Sequence, residues 1–112
     1  MFKGKKVLVL GLAKSGKAAV ELLKFMHADI TINESKKKED IPEYDTYVNE
    51  GIEMVCGGQP DELFERDFDF VVKNPGINYH APFILRLKER GIPVYTEIEL
   101  GYKVAKKQHY IA

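Results

Sequence analysis

Five short apolar runs recur along the 112 residues of the chain, and polar or helix-like segments separate them. The runs are four to six residues long and rich in Val, Ile and aromatic residues, which is typical of buried strands. They lie at 6–10, 29–33, 52–56, 68–73 and 93–96. Because strands alternate with helical segments, the pattern predicts an α/β fold with a parallel sheet covered on both faces. Right-handed crossovers then leave few topologies, and we expect the doubly wound order 3-2-1-4-5 in a single three-layer domain.

The segments between the runs show helical spacing of their apolar residues. They predict helices over 17–26, 43–50, 81–90 and 97–107, and one or two helical turns over 60–65. Ser15 is expected to cap the first helix, and Gly91 to end the third. The stretch SKKKEDIPE, residues 35–43, has no core pattern and contains a proline, which predicts a surface loop.

Charge and cysteine content exclude several classes of protein. The 17 basic and 17 acidic residues give a formal net charge of zero, which argues against a dedicated nucleic-acid-binding protein. The single cysteine cannot form an internal disulfide, so a reducing compartment is expected. No apolar run approaches the roughly 18 residues of a membrane span, and the N-terminus lacks the pattern of a signal peptide. We expect a cytoplasmic protein that binds neither nucleic acid nor membrane.

The stretch GLAKSGKA, from Gly11 to Ala18, resembles two different phosphate-binding loops. As G-x-x-x-x-G-K it approaches a Walker A loop for a nucleoside triphosphate. That loop needs Ser or Thr after its lysine as a ligand of Mg²⁺, and this chain has Ala18 there. The fourth apolar run also ends in Lys73, where a Walker B strand would end in Asp. Both departures argue against a triphosphate site.

The same stretch fits a Rossmann-like dinucleotide fingerprint better. Gly11 and Gly16 have the required spacing, follow a strand and open a helix. Gly11 would permit the tight turn, and Gly16 would let the helix pack close to the sheet. The Ser15 hydroxyl and the free N–H groups at the helix start would form an anion site, with added positive charge from Lys14 and Lys17. A glycine-rich turn that binds nothing remains the alternative.

Two further loops are predicted at the same edge of the sheet. Glu34 follows the second strand about 20 residues after the glycine loop, where an acid in dinucleotide-binding folds binds a ribose hydroxyl. Asn74, Pro75 and Gly76 follow the fourth strand, which neighbours the first strand in the expected order. Because the carboxyl ends of parallel strands share one edge, these loops predict a crevice for a nucleotide diphosphate.

No catalytic or metal-binding constellation is predicted. The three histidines lie on different predicted elements, and none forms a ligand cluster with Cys56. Glu97 and Glu99 stand two residues apart on a predicted helix, so their carboxylates point in different directions. Their position in the first helical turn instead suits the helix dipole.

Four segments together resemble one known family. The segments VLVLGLAKSGKAAVELL, INESK, VVKNPGI and VYTEIELGY occur in the order and spacing of the N-terminal domain of the Mur ligases, and most resemble its MurD branch. The resemblance runs from about Lys5 to the last residue. It implies a domain that binds the UDP part of UDP-MurNAc-L-Ala, within an enzyme that uses ATP and Mg²⁺ to add D-glutamate in peptidoglycan synthesis.

The resemblance also implies the roles of the loops. The first loop would meet the diphosphate and uracil, the loop after the second strand would face the uracil, and the loop after the fourth strand would close over the substrate. The implied substrate-binding residues are Gly11, Lys14, Ser15, Gly16, Glu34, Ser35, Lys36, Asn74, Pro75 and Gly76.

The final residues HYIA resemble a strand that has begun and not finished. We therefore expect residues 1–112 to form one UDP-substrate domain of a longer multidomain ligase. The resemblance implies that the ATP loop, the Mg²⁺ ligands and the D-glutamate site follow in central and C-terminal domains, that the fragment alone is inactive, and that the protein is a monomer.

Two other functions stay open at this point. One is an NAD(P)-binding domain of a dehydrogenase, which Glu34 favours and which Ala13 and Lys36 weigh against. The other is a non-catalytic regulatory domain that senses a nucleotide.

Overall fold

All five expected strands pair in parallel within one sheet of the computed structural model. The structure describes residues 3–12, 14–58, 60–74 and 81–103. The strands are β1 (Lys6–Leu10), β2 (Asp29–Glu34), β3 (Glu53–Cys56), β4 (Phe70–Lys73) and β5 (Val94–Thr96). Their order is β3-β2-β1-β4-β5, which confirms the expected doubly wound topology. The order of strands reverses between β1 and β4, and this is where such sheets open a crevice at their carboxyl edge.

The helices are α1 (Lys14–Phe25), α2 (Tyr44–Asn49), α3 (Pro82–Glu89) and a final helix, α4, over 97–103. Short 3-10 segments occupy Lys38–Asp40 and Asp61–Glu65. These bounds agree with the expected helices to within a few residues, except that the expected continuation of α4 to residue 107 lies outside the described residues. The strand start expected at HYIA lies outside them as well.

One local expectation was wrong, and a second holds with one exception, because residues 35–40 are exposed as a surface loop requires but Ile41 is not. The first helix already begins at Lys14, so Ser15 is its second residue and cannot be its cap. The loop over 35–43 does contribute to the core, because Ile41 is buried after the 3-10 turn at Lys38–Asp40. A single apolar residue in a polar loop gives no periodic signal, so only the tertiary contacts of Ile41 identify it as a core residue.

The core consists of two apolar clusters, one on each face of the sheet. Along β1, Val7 and Val9 point into the cluster under α1 and α2, and Leu8 and Leu10 into the cluster under α3. Both faces of a parallel sheet are covered, so β1 is apolar from Val7 to Leu10 and β4 from Phe70 to Val72. The central strand β2 differs, because it buries the polar residues Thr31 and Asn33 next to its isoleucines. This packing gives the three layers that the sequence predicted.

The start of α4 is fixed by a capping box between Thr96 and Glu99. The Thr96 hydroxyl accepts a hydrogen bond from the Glu99 N–H at 3.3 Å, and the Glu99 carboxylate accepts one from the Thr96 N–H at 3.1 Å. This reciprocal arrangement satisfies two N–H groups at the helix start. Glu99 therefore has a specific capping role, in addition to its favourable position in the first turn.

Candidate functional site

The carboxyl ends of β1, β2 and β4 bring several of the expected site residues to one edge of the sheet. Leu10, the last residue of β1, lies between Asn33 of β2 and Lys73 of β4. Beyond it, the Gly11 N–H donates to the Asn33 carbonyl at 2.8 Å, and the Asn74 N–H donates to the Leu10 carbonyl at 3.2 Å. The loops that follow these three strands therefore start side by side, as a crevice at the strand-order reversal requires.

The two glycines of the first loop occupy positions that other residues would not fit. Gly11 has a φ of +91°, in the region that favours glycine, and a Cβ there would lie 3.6 Å from the Asn74 Cβ. A Cβ on Gly16 would overlap the carbonyl oxygen of Gly11. The first turn of α1 thus packs directly against the backbone of Gly11, whereas the close approach expected of Gly16 was to the sheet.

The Glu34 carboxylate accepts hydrogen bonds from both neighbouring loops. One oxygen, Oε1, accepts from the Leu12 N–H at 2.8 Å, in the loop after β1. The other, Oε2, accepts from the Lys36 N–H at 2.9 Å and from the Ser35 hydroxyl at 3.2 Å. Glu34 is itself the last residue of β2 and is 9% exposed. We refer to this set of three hydrogen bonds as the Glu34 bridge.

The Glu34 bridge also determines the charge state of this carboxyl. Burial alone would raise the pKa of Glu34, but the hydrogen bonds from the Lys36 and Leu12 N–H groups and the Ser35 hydroxyl, together with the Lys36 charge, outweigh it. The pKa therefore lies below its ordinary value, and the carboxylate is ionised near neutral pH. The sequence predicted that Glu34 lies at this edge of the sheet. Nothing in the sequence pattern indicated that its carboxylate accepts hydrogen bonds from backbone N–H groups.

Lys17 has a different role from the one expected from the sequence. Its ammonium lies 2.8 Å from the Glu43 carboxylate, just before α2, and this hydrogen bond raises the pKa of Lys17. Lys17 therefore ties α1 to the start of α2, and its positive charge is balanced there. Ala18 is exposed and offers no hydroxyl to a metal ion. These residues do not fit a triphosphate with Mg²⁺ at this loop.

Two functional candidates were missed by the sequence analysis. Asn33 is buried, and its Nδ2 donates to the carbonyls of Val55 and Gly58 at 3.1 and 2.7 Å, which fixes the turn after β3. Lys73 is only 3% exposed, and its Nζ lies 3.4 Å from the Asn74 carbonyl oxygen. The available signal was the polar or charged residue that ends each of these two runs, since buried strand positions rarely carry such side chains without a specific reason.

The described structure accounts for part of the expected site. It brings together Gly11, Gly16, Glu34, Ser35, Lys36 and Asn74. Lys14 and Ser15 lie in the first turn of α1, at the same edge, although their side chains are outside the description. Pro75 and Gly76 fall outside the described residues. The Ser35 and Lys36 side chains are exposed and accessible to a ligand.

Residues 3–12, 14–58, 60–74 and 81–103 contain neither a metal-binding cluster nor a membrane-spanning helix. There, no group of three or more His, Cys, Asp or Glu side chains could hold a metal ion. None of the helices in those ranges has the length and apolar character needed to cross a bilayer.

The parallel sheet, its strand order and its flanking helices define a Rossmann-like α/β domain. The family model for the Mur ligase MurD-like N-terminal domain matches residues 5–96. The chain therefore belongs to the MurD-like N-terminal domain family of the Mur ligases, as its sequence motifs indicated.

Curated relatives are identical to this chain at about half of the aligned positions. A UDP-N-acetylmuramoylalanine--D-glutamate ligase of Streptococcus thermophilus is 50% identical over 104 residues, which is 93% of this chain and 23% of the relative. A protein of the same name from Streptococcus agalactiae is 47% identical over 107 residues, covering 96% of this chain and 24% of its own length. The chain thus spans about a quarter of the length of these ligases.

Solved structures with a similar fold include dehydrogenases. A scyllo-inositol dehydrogenase from Lactobacillus casei aligns with a TM-score of 0.60 at 19% identity, over 96% of this chain and 34% of its own. A shikimate dehydrogenase from Aquifex aeolicus aligns with a TM-score of 0.51 at 15% identity, over 86% of this chain and 43% of its own. At such low identity the similarity is one of fold, and it confirms the Rossmann-like architecture.

Proposed function

We propose that this chain is the domain that binds UDP-MurNAc-L-Ala in a UDP-N-acetylmuramoylalanine--D-glutamate ligase. The observation that carries the proposal is the identity of about 50% to ligases of that name over nearly the whole chain. The close approach of α1 to the Gly11 loop supports it, because a helix start packed on a glycine loop presents free N–H groups to a diphosphate. In this proposal Gly11, Lys14, Ser15 and Gly16 meet the diphosphate.

The Glu34 bridge favours a UDP ligand over NAD. In dinucleotide-binding folds the acid after the second strand accepts hydrogen bonds from ribose hydroxyls. Here that carboxylate already accepts three hydrogen bonds from the protein, so it is poorly placed to bind NAD in that way. The exposed Ser35 and Lys36 side chains would face the uracil end, and the Asn74 loop, with Pro75 and Gly76, would close over the substrate.

The ATP and Mg²⁺ of the proposed ligase would bind in other domains of the full-length enzyme. When bound there, ATP supplies the phosphoryl group that activates the substrate carboxylate for attack by the D-glutamate amine. The domain formed by residues 1–112 contributes binding energy through the UDP group, remote from the reacting atoms. Such energy orients the reacting end and can lower the barrier.

The proposal places the protein in the cytoplasm, as a monomer that takes part in cell wall synthesis. It also holds that residues 1–112 act as one domain of a longer chain and are inactive alone. ATP-dependent phosphate release from the purified 112-residue chain, tested with and without UDP-MurNAc-L-Ala and D-glutamate, should stay at the level of a blank. Release above that level would contradict this part of the proposal.

Parallel calorimetric titrations with UDP-MurNAc-L-Ala, UMP and NADH test the choice of ligand. The proposal expects binding of the first two and none of NADH at comparable concentrations. Tight binding of NADH with no response to the uridine nucleotides would instead support a dehydrogenase domain.

Two variants then locate the ligand within the site. Ser15→Ala should weaken UDP-MurNAc-L-Ala by about 1.5–3 kcal/mol, the value of a hydrogen bond to a charged group, and should affect UMP less. Lys36→Ala should weaken both ligands alike by about 0–1 kcal/mol, because its side chain is solvated. If Ser15→Ala leaves both affinities unchanged, the diphosphate lies elsewhere.

A further inference from the structure

The Glu34 side chain is held by donors from two separate loops. Leu12 belongs to the loop between β1 and α1, whereas Ser35 and Lys36 follow β2. One carboxylate oxygen accepts from the first loop at 2.8 Å, and the other accepts from the second loop at 2.9 Å. The backbone adds one further link at the base of these loops, from the Gly11 N–H to the Asn33 carbonyl. Glu34 is thus the side chain that spans the space between the loops proposed to hold the nucleotide.

This arrangement leaves the carboxylate little capacity for a ligand. An ionised carboxylate has about four lone-pair sites, and three of them accept hydrogen bonds from the protein. With Glu34 only 9% exposed, a ribose hydroxyl would have to displace a protein donor or enter a nearly closed position. Leaving a buried N–H group without an acceptor costs about as much free energy as a lost hydrogen bond. Displacement of a protein donor by a ribose hydroxyl is therefore unfavourable.

A side chain that joins two loops by hydrogen bonds can hold the binding groups of both loops in place. Binding groups on loops lose affinity when the loops move, unless a neighbouring shell of hydrogen bonds holds them in place. We infer that Glu34 is a positioning residue, which fixes the loop after β1 relative to the loop after β2 and does not itself contact the ribose. This inference rests on the proposed function, because it assigns Glu34 a role within the proposed UDP site.

The Glu34→Gln variant tests the inference directly. Gln keeps the shape of the side chain, but its NH₂ group cannot accept a hydrogen bond, so at least one of the three donors loses its acceptor. The backbone amide NMR signals of Leu12 and Lys36 should both shift in the ligand-free variant. Its affinities for UDP and for 2′-deoxy-UDP should fall by the same factor, about tenfold. Removal of residues that orient metal ligands by hydrogen bonds lowers metal affinity by about 10- to 100-fold, and we expect the lower end of that range for the analogous role here.

A comparison of the two nucleotides separates positioning from direct contact. If Glu34 contacted the 2′-hydroxyl, wild type would prefer UDP over 2′-deoxy-UDP, and Glu34→Gln would abolish that preference. An abolished preference, or unchanged amide signals at Leu12 and Lys36, would overturn the inference. An equal loss for both nucleotides with shifted amide signals would support it.

Asp69→Asn provides a matched control at the opposite end of β1. The Asp69 carboxylate accepts a hydrogen bond from the Lys6 N–H at 2.8 Å, so it also joins a side chain to the backbone of this strand. The control should lower the melting temperature while leaving the UDP affinity unchanged. If it weakens UDP as much as Glu34→Gln does, the effect of Glu34 is one of general stability and the inference fails.

The role of Glu34 can still be tested if the first variant does not fold or if no nucleotide binds. If Glu34→Gln does not fold, Glu34→Asp replaces it in the test. Asp keeps the charge but is one methylene shorter, so its carboxylate cannot reach both loops. This variant should also shift the two amide signals and weaken the binding of both nucleotides equally. If wild type binds neither nucleotide, the proposed function fails, whereas the amide signals still decide whether Glu34 joins the two loops.

Discussion

The Cα atom of Gly16 lies so close to the carbonyl group of Gly11 that a Cβ on Gly16 would overlap the carbonyl oxygen and stand 3.0 Å from the carbonyl carbon. Because the obstacle is backbone and not a flexible side chain, it cannot move without displacing the loop. The position of α1 above the carboxyl end of β1 therefore depends on the absence of a single methyl group.

Gly16→Ala should destabilise the fold, since forcing a methyl group into a packed contact costs roughly 1–3 kcal/mol or more. Gly101→Ala is the matched control, because Gly101 also lies in a helix and a Cβ there would meet nothing within 4 Å. The control should be stabilising by about 0.5–1 kcal/mol, as alanine is the better helix former. Urea denaturation of both variants measures the difference, and equal stabilities would refute the close contact.

The Glu34 bridge predicts a specific dependence of stability on pH. The folded-state pKa of Glu34 is lowered, so its contribution is present above the unfolded pKa of about 4.3 and is lost as pH falls through the folded pKa. The difference in unfolding free energy between wild type and Glu34→Gln should be largest near neutral pH and should shrink below about pH 4.

Urea denaturation at several pH values between 7 and 3 measures this difference. The pKa values of Glu43 and Glu53 are also lowered, mainly by hydrogen bonds from Lys17 and Arg66, but both residues are present in each protein and cancel in the comparison. A difference that stays constant over the whole range would show that the Glu34 charge does not stabilise the fold.

The buried ammonium of Lys73 predicts a selective effect on charged ligands. Lys73→Met keeps most of the side-chain volume and removes the charge beside the Asn74 loop. A charge about 4 Å from a phosphate is worth about 1–4 kcal/mol, depending on the effective dielectric constant. UDP affinity should therefore fall in the variant, while uridine affinity should stay near that of wild type. Equal losses for UDP and uridine in calorimetry would rule out a role of the charge.

A residue just after the end of α1 has an unfavourable backbone conformation. His27 has a φ of +59°, just past the helix, where glycine is the usual residue. His27→Gly should stabilise the fold by about 1 kcal/mol, which is the cost of this conformation less the added freedom of glycine in the unfolded chain. Thermal melting should show an increase of about 4 °C or more.

Ala18→Gly is the corresponding control within the same helix. Ala18 is exposed in α1, so glycine there should destabilise by about 1 kcal/mol. If both glycine variants melt at lower temperature than wild type, the backbone of His27 is not under the strain that its φ implies.

The sequence by itself determined the strands, their order and the glycine loop. Apolar runs such as that of β1 are local signals, and right-handed crossovers restrict how successive strands can pair, so the topology followed from pattern and chirality. The spacing of Gly11 and Gly16 likewise predicted a close approach of the first helix, although the tightest contact is with the Gly11 carbonyl and not with the sheet. The strands and the glycine loop depend on residues that are near one another in the chain. The strand order pairs distant segments such as β1 and β4, and it was predictable because the handedness of crossovers is general.

The partners of the charged side chains were decided only by the tertiary structure. Glu34 was expected to face a ligand, and only the fold shows that its carboxylate accepts a hydrogen bond from Leu12. Lys17 was expected to add positive charge at the loop, and only the fold shows that it pairs with Glu43. Lys73 ends a predicted strand, and only the packing of the fold shows that its side chain is buried. Such partners are 22 to 26 residues apart in the chain. The donor or charge that a flexible side chain contacts depends on which distant segments the fold brings next to it. The hydrophobic periodicity of the sequence carries no information about that.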